Sequence, residues 1–176
     1  MSIPCQAIEI LSITHSQITK IPPIQRMRKL KTLILDSNNI CEWDAFIFEM
    51  NSIEMLSIHS NKLKNIPSSI KLLKNLNILI LYNNPIFTHK SKQYVQAFVS
   101  DLQATKIKKL NIATTDLHFF PNNLDELKSL AFVNLSNNPI KNISKQCFKH
   151  IVAISLEGTK VKYNKRLFNK LSPALP

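Results

Sequence analysis

The stretch IEMLSIHSNKLKNIPSSIKLLKN, residues 53–75, sets the pattern on which the rest of the sequence is built. Its apolar residues and one asparagine fall at fixed spacing: Ile53, Leu56, Ile58, Asn61 and Leu63. The alternation across Leu56 and Ile58 predicts a short strand in which every second side chain is buried. Ile66-Pro67 then begins an extended return segment, because a residue that precedes proline disfavours the helical region.

The same unit can be laid over almost the whole chain. Units begin at Ile8, Leu30, Ile53, Leu76, Ile107, Leu130 and Ile151, and the fourth, residues 76–106, is the longest. Seven units exceed the roughly three that are needed to bury a continuous core. We therefore predict one repeat domain over residues 1–176, with residues 162–176 as a C-terminal cap.

Four units carry an asparagine just after the predicted strand: Asn38, Asn61, Asn84 and Asn138. A side-chain amide has both donors and an acceptor, so it can satisfy backbone groups in its own unit and in the adjacent one. We predict that these residues form an internal structural ladder. Ser16, Thr115 and Thr159 stand at the same position in other units and are shorter, so looser stacking is expected there.

The extra length of the fourth unit, FTHKSKQYVQAFVSDLQATK, contains apolar residues at helical spacing: Tyr94, Ala97, Phe98 and Leu102. Ser91 can cap the start of a helix. The segment predicts an amphipathic helix over residues 91–103 on the side opposite the strands.

The L-x-x-L-x-L-x-x-N-x-L pattern of residues 53–63 resembles that of the leucine-rich repeat superfamily, and the resemblance covers residues 8–161. It implies an α/β fold: a right-handed solenoid with a parallel sheet on its concave face, and loops, short helical turns and one helix on its convex face. The phrase IPSSIKLLKNL, residues 66–76, is similar to repeats of intracellular Ras-pathway scaffold proteins. Asn84-Pro85-Ile86 followed by YVQAFVSDL resembles phosphatase-regulatory and spliceosomal repeat proteins. These resemblances imply a non-enzymatic scaffold or adaptor that binds a protein partner in intracellular signalling or regulation.

Composition narrows the class of function. Gly158 is the only glycine, which excludes glycine-rich nucleotide-binding loops. The three cysteines are far apart and form no CxxC, as is typical of a reduced intracellular compartment. No signal peptide and no apolar run of about 20 residues is evident. We expect a monomer in the cytoplasm, or alternatively in the nucleus, with no cofactor and no metal.

Outward strand positions predict the partner-binding surface, because side chains two apart on a strand share a face and equal positions of neighbouring units are adjacent. On units two to four these positions are largely apolar, and a contiguous apolar patch indicates a binding site. The predicted partner-binding residues are Ile34, Asp36, Met55, His59, Ile78, Ile80 and Tyr82. The alternative interpretation is that these outward apolar residues have no binding function and reflect sequence drift of the repeat in an isoleucine-rich chain.

Ser57, His59 and Asp36 are the residue types of a serine–histidine–aspartate triad and fall at neighbouring positions. The sequence offers no strained nucleophile turn and no oxyanion hole. We interpret these residues as polar members of the binding surface and predict no catalytic residues.

Basic residues gather before the strands, and the net charge is +12. The predicted basic rim comprises Arg26, Arg28, Lys29, Lys71, Lys74, Lys106, Lys108 and Lys109, with Lys31 beside them. Such a stripe favours an acidic partner, and the alternative function is a basic adaptor for RNA or an anionic membrane surface. The competing interpretation is that the positive charge reflects the base composition of the gene, since Lys, Asn and Ile are abundant together, as AT-rich codons would produce.

Overall fold

The computed structural model describes residues 5–143 and 151–161. Within them the strands are Ile10–Ser12 (β1), Thr32–Ile34 (β2), Met55–Ser57 (β3), Ile78–Ile80 (β4), Lys109–Asn111 (β5), Phe132–Asn134 (β6) and Ala153–Ser155 (β7). They pair in chain order, all parallel, in one sheet. The predicted sheet and the alignment of its units are confirmed. The predicted cap, residues 162–176, lies outside the described residues.

The core lies directly behind the sheet, because the middle residue of each strand points inward. Leu33, Leu56 and Leu79 are fully buried, and the apolar residues that flank each strand join them in one cluster. Full burial of such a side chain contributes about 1.5–3 kcal/mol to folding. Leu11 and Ile154, in the outermost strands, are only half-buried, so the central units supply most of this stabilisation.

The return segments contain short 3-10 helices at Ala45–Glu49, Ser68–Leu72 and Leu124–Glu126, with another at Cys5–Ala7. The fourth unit forms an α-helix, α1, at Lys92–Leu102, and Ser91 Oγ accepts a hydrogen bond from the Tyr94 N–H. The predicted helix and its cap are confirmed.

The apolar stripe of α1 differs from the predicted one. Its buried residues are Val95, Phe98, Val99 and Leu102, whereas Ala97 is exposed. Ala97 lies two residues from both Val95 and Val99, so it points away from the face that those residues share. The stripe packs α1 against the 3-10 helix Ser68–Leu72.

Two aromatic side chains tie neighbouring units together on the return-segment side. Trp43 Nε1 donates to the Asn65 carbonyl over 2.8 Å. The Tyr94 hydroxyl accepts from the Ile66 N–H at 2.8 Å and donates to the Ile66 carbonyl at 3.2 Å. Burial raises the pKa of Tyr94 above its ordinary value, against a smaller lowering by the backbone hydrogen bond at Ile66. The third unit is therefore held from both sides.

The asparagine ladder is made of hydrogen bonds that cross from one unit to the preceding one. Asn38, Asn61, Asn84 and Asn138 donate to the carbonyls of Ile13, Leu35, Ile58 and Ile112 respectively, over 2.8–3.0 Å. Each Oδ1 accepts from a backbone N–H of the same preceding unit. These buried side chains replace backbone pairing in the turns that follow the strands.

The fifth unit breaks this pattern, because Thr115 is too short to reach back. Its hydroxyl donates to the Ile112 carbonyl of its own unit over 2.7 Å. The Ile86 N–H donates to the Asn84 carbonyl at 2.8 Å, whereas the equivalent N–H groups of Ile40 and Leu63 donate to the asparagine of the following unit. The link between units four and five at this level is the backbone bond from the Phe87 N–H to the Thr115 carbonyl, at 3.0 Å.

The residue immediately before each ladder position has a left-handed backbone. These residues are His15, Ser37, Ser60, Asn83, Thr114, Asn137 and Gly158, with φ between 52° and 66°. Only glycine adopts this region without steric cost, and asparagine tolerates it better than most residues. The single glycine stands where a Cβ would also collide with Asn137 Oδ1.

Candidate partner-binding face

The structure brings the predicted partner-binding residues together on one face of the sheet. Ile34, Met55, Ile78 and Ile80 lie in adjacent strands β2–β4 in two neighbouring rows and are all half-buried. Asp36, His59 and Tyr82 follow the ends of the same strands. Their role in binding stays a prediction.

The residues that follow these strands join Ser57 of β3 in a polar cluster, which consists of Asp36, Ser57, His59 and Tyr82. Asp36 Oδ1 accepts from Ser57 Oγ at 2.7 Å and from the His59 N–H at 3.0 Å, and Asp36 Oδ2 lies 3.1 Å from His59 Nε2. The rings of His59 and Tyr82 stack with centroids 4.0 Å apart. The polar cluster therefore satisfies much of its own hydrogen-bonding capacity.

The geometry of this cluster disfavours a catalytic triad. Ser57 donates to the carboxylate of Asp36, whereas a serine nucleophile must be hydrogen-bonded to the base that removes its proton. Ser57 is also only 2% exposed, so a substrate has little access to its hydroxyl. The arrangement fits a structural tie between β3 and the end of β2. In the described part of the chain, no three His, Cys, Asp or Glu side chains converge as metal ligands.

A shallow groove of about 430 Å³ crosses the same face further along the sheet, from β4 to β7. Its outward-facing lining includes Ile78, Ile80, Lys109, Asn111 and Phe132. Phe132 is 44% exposed, and Lys109 Nζ lies 5.4 Å from the centre of its ring. The predicted patch did not include Phe132, although its outward position and aromatic character were readable from the repeat.

The predicted basic rim is exposed but not continuous. Arg26, Arg28, Lys29, Lys71, Lys74, Lys106 and Lys108 are all exposed in segments that precede strands. Lys31, however, pairs with Glu9 at 2.9 Å, and this hydrogen bond raises the pKa of Lys31, with a further contribution from Glu54. Acidic residues thus interrupt the basic ones at the first and third units.

One member of the predicted rim is misplaced. Lys109 lies in β5, in the same row as Ile78 and Phe132, so its side chain belongs to the sheet face and not to the turns before the strands. Lys106 lies before β5 as expected and donates to Asn75 Oδ1 at 2.9 Å.

A family model described as leucine rich repeat matches residues 28–86, which cover β2, β3 and β4 with their asparagines. A leucine-rich repeat protein of Leptospira interrogans superposes with a TM-score of 0.79 at 24% identity, covering 94% of this chain and 41% of that one. The chain belongs to the leucine-rich repeat superfamily.

Other proteins and solved structures are similar over much of the chain. The plant peptide hormone receptor RGFR1 in complex with RGF2 has a TM-score of 0.65 at 19% identity, covering 85% of this chain and 24% of that one. Adenylate cyclase of Schizosaccharomyces pombe is 32% identical over 69% of this chain, and human lumican is 28% identical over 78%. The chain spans 8% of that cyclase and 39% of that lumican.

Proposed function

We propose that this leucine-rich repeat chain is a non-enzymatic scaffold or adaptor that holds a protein partner on its sheet face. The observation that carries the proposal is the patch of half-buried apolar side chains on the adjacent strands β2–β4 of that face, which consists of Ile34, Met55, Ile78 and Ile80. The exposed Phe132 lies on the same face beyond β5. Such a surface loses less solvation free energy when a partner covers it than a polar surface does, and contiguous apolar patches mark interaction sites. A structurally similar receptor is described in complex with its ligand, which agrees with a binding role.

The cellular setting forms part of the same proposal. The resemblance of residues 66–76 to intracellular scaffold repeats supports a cytoplasmic protein that acts in signalling or regulation. We further propose that it acts as a monomer. No helix within the described ranges has the length and apolar character needed to cross a membrane.

The alternative, a basic adaptor for RNA or an anionic membrane surface, is supported by the exposed lysines and the net charge of +12. Glu9 and Glu54 weigh against it, since they flank Lys31 and break the rim. Tight binding of a polyanion with a steep dependence on salt would favour this alternative over a protein partner.

Affinity capture with the wild type and a sheet-face variant tests the proposal. The Ile80→Ser variant combined with Ile34→Ser should lose the captured protein, because both side chains face outward from β4 and β2. Leu72→Ser is the matched control, since Leu72 is 45% exposed but lies in a return segment. Loss of capture by the control, or retention by the sheet-face variant, would contradict the proposal.

A further inference from the structure

The groove that crosses the sheet from β4 to β7 differs from the rest of the sheet face in its chemistry. Its outward-facing lining has apolar side chains on both sides of β5, Ile78 and Ile80 on one and Phe132 on the other. The polar residues Asn111, Asn134 and Ser155 complete the row that begins at Ile80. Lys109 stands between Ile78 and Phe132 in the same row, one strand from each. It is the one ionisable residue in the groove lining that the structure describes.

The charge of Lys109 is not neutralised by a carboxylate in the described part of the chain. Its ammonium instead lies over the ring of Phe132, a weak contact when it is exposed to water. The polar cluster around Asp36 offers no comparable free charge, because Ser57 and His59 already occupy its carboxylate. A free cation beside exposed apolar side chains is complementary to a carboxylate beside an apolar group.

We propose that this groove binds an extended protein segment whose carboxylate pairs with Lys109 while neighbouring apolar side chains pack on Phe132 to one side and on Ile78 to the other. The inference rests on the proposed function of the sheet face and names the chemistry of the partner. Neighbouring strands are about 4.8 Å apart and an extended chain rises about 3.3 Å per residue. The acidic and apolar residues of the segment therefore lie within about two positions of each other.

Two other occupants fit the groove less well. A nucleic acid gains affinity by placing successive phosphates on several cations, and the groove lining offers Lys109 alone among the described residues. A second copy of the chain would bring a net charge of +12 against a groove whose one ionisable residue, among those described, is a cation.

Selection from a displayed library of random 12-residue peptides tests the proposal while the partner is still unidentified. We expect the wild type to enrich peptides that carry Asp or Glu within two positions of an apolar residue. Lys109→Met should weaken the binding of these peptides about tenfold or more, and Lys109→Glu should shift the selection towards Lys or Arg. Phe132→Ser should weaken binding to a similar extent.

The control variants carry the same types of substitution, a reversed charge and an apolar-to-serine change, at exposed positions outside the sheet. Lys71→Glu and Leu72→Ser lie in the 3-10 helix Ser68–Leu72 and should leave binding of the enriched peptides unchanged. Circular dichroism and thermal melting of every variant show whether it is folded, and Lys109→Met is the variant least able to disturb folding because its side chain is exposed.

The remaining outcomes separate this inference from the proposed function. Peptides that lack an acidic bias, but whose binding is lost in Ile34→Ser with Ile80→Ser, overturn the inference and support the sheet face as a binding surface. Peptides that bind regardless of every sheet-face variant, or an absence of enriched peptides, overturn both. Self-association that Phe132→Ser abolishes, or polyanion binding that Lys109→Met abolishes, also overturns the inference.

Discussion

Asn61 Nδ2 donates a hydrogen bond of 2.9 Å to the carbonyl oxygen of Leu35, 26 residues earlier in the chain. The same side chain donates to Ile58 and His59 in its own turn, and its Oδ1 accepts from the Ile40 N–H at 2.9 Å. One amide thus joins the end of β2 to the end of β3.

Asn61→Ala should lower the free energy of unfolding by about 3 kcal/mol, because buried carbonyl and N–H groups lose their partners. Thr115→Ala should cost about 1 kcal/mol, since its hydroxyl donates mainly to the Ile112 carbonyl of its own unit. Urea denaturation measures both, with Asn65→Ala as an exposed control. Equal midpoints for Asn61→Ala and wild type would show that the ladder contributes nothing to stability.

Thr114→Asn should stabilise the protein by roughly 0.5–1 kcal/mol, because a β-branched residue at φ 53° is strained and asparagine is less so. Thr114 is exposed, so the change removes no buried contact. Asn83 and Asn137 already show asparagine at the equivalent position. Thermal melting tests this, and Thr19→Asn, at an exposed site without positive φ, should leave the melting temperature unchanged. A lower melting temperature for Thr114→Asn would rule out relief of strain.

Tyr94→Phe should destabilise the protein at neutral pH by about 1–2 kcal/mol, since the Ile66 N–H and carbonyl lose the hydroxyl. Tyr94 has a raised pKa in the folded protein, so its contribution is complete below its ordinary pKa of 10.0 and is lost as the pH rises through the folded value. Denaturation at pH 8 and pH 11 should therefore show a smaller gap between wild type and variant at the higher pH. A gap that stays constant or widens would contradict this linkage.

The stacked pair of His59 and Tyr82 should show a coupling free energy of about 0.5–1.5 kcal/mol in a double-mutant cycle with alanine. Tyr82→Ala is consequently not neutral for stability, contrary to what an outward position alone predicts. Chemical denaturation of the two single variants and the double variant gives the coupling. His118→Ala with Tyr82→Ala is the control, because His118 pairs with Asp116 and should add independently. The Tyr82 hydroxyl also lies 3.1 Å from His59 Nε2, so the cycle measures this hydrogen bond and the ring stacking together. Simple additivity of the His59 and Tyr82 changes would mean that neither contributes.

The repeat predicted the strands and their alignment because one physical requirement fixes both. Each strand must bury its middle residue, so the spacing of leucines such as Leu33 and Leu56 determines which residues face outward. Ser91 likewise predicted the start of α1, because capping depends on residues close in sequence.

The candidate site was predicted less completely, because its chemistry depends on contacts between units. Equal positions in adjacent units predicted that Asp36 and Ser57 lie close together, but not the direction of their hydrogen bond. The place of Lys109 was ambiguous between a rim and a face until the start of β5 was known. The exposure of the Phe132 side chain was not predicted, because it depends on how much of the ring the side chains of the neighbouring strands cover.

The ladder bonds also explain where this chain tolerates a change of length. On the sheet side, each ladder asparagine also donates to the carbonyl three residues before it, as Asn61 does to Ile58 and Asn84 does to Leu81, so an inserted residue there would break the spacing. The long fourth unit places its additional residues in α1, on the other side, while β4 and β5 remain paired. Insertions and deletions are therefore expected to be tolerated in the return segments, but not between a strand and the asparagine that follows it.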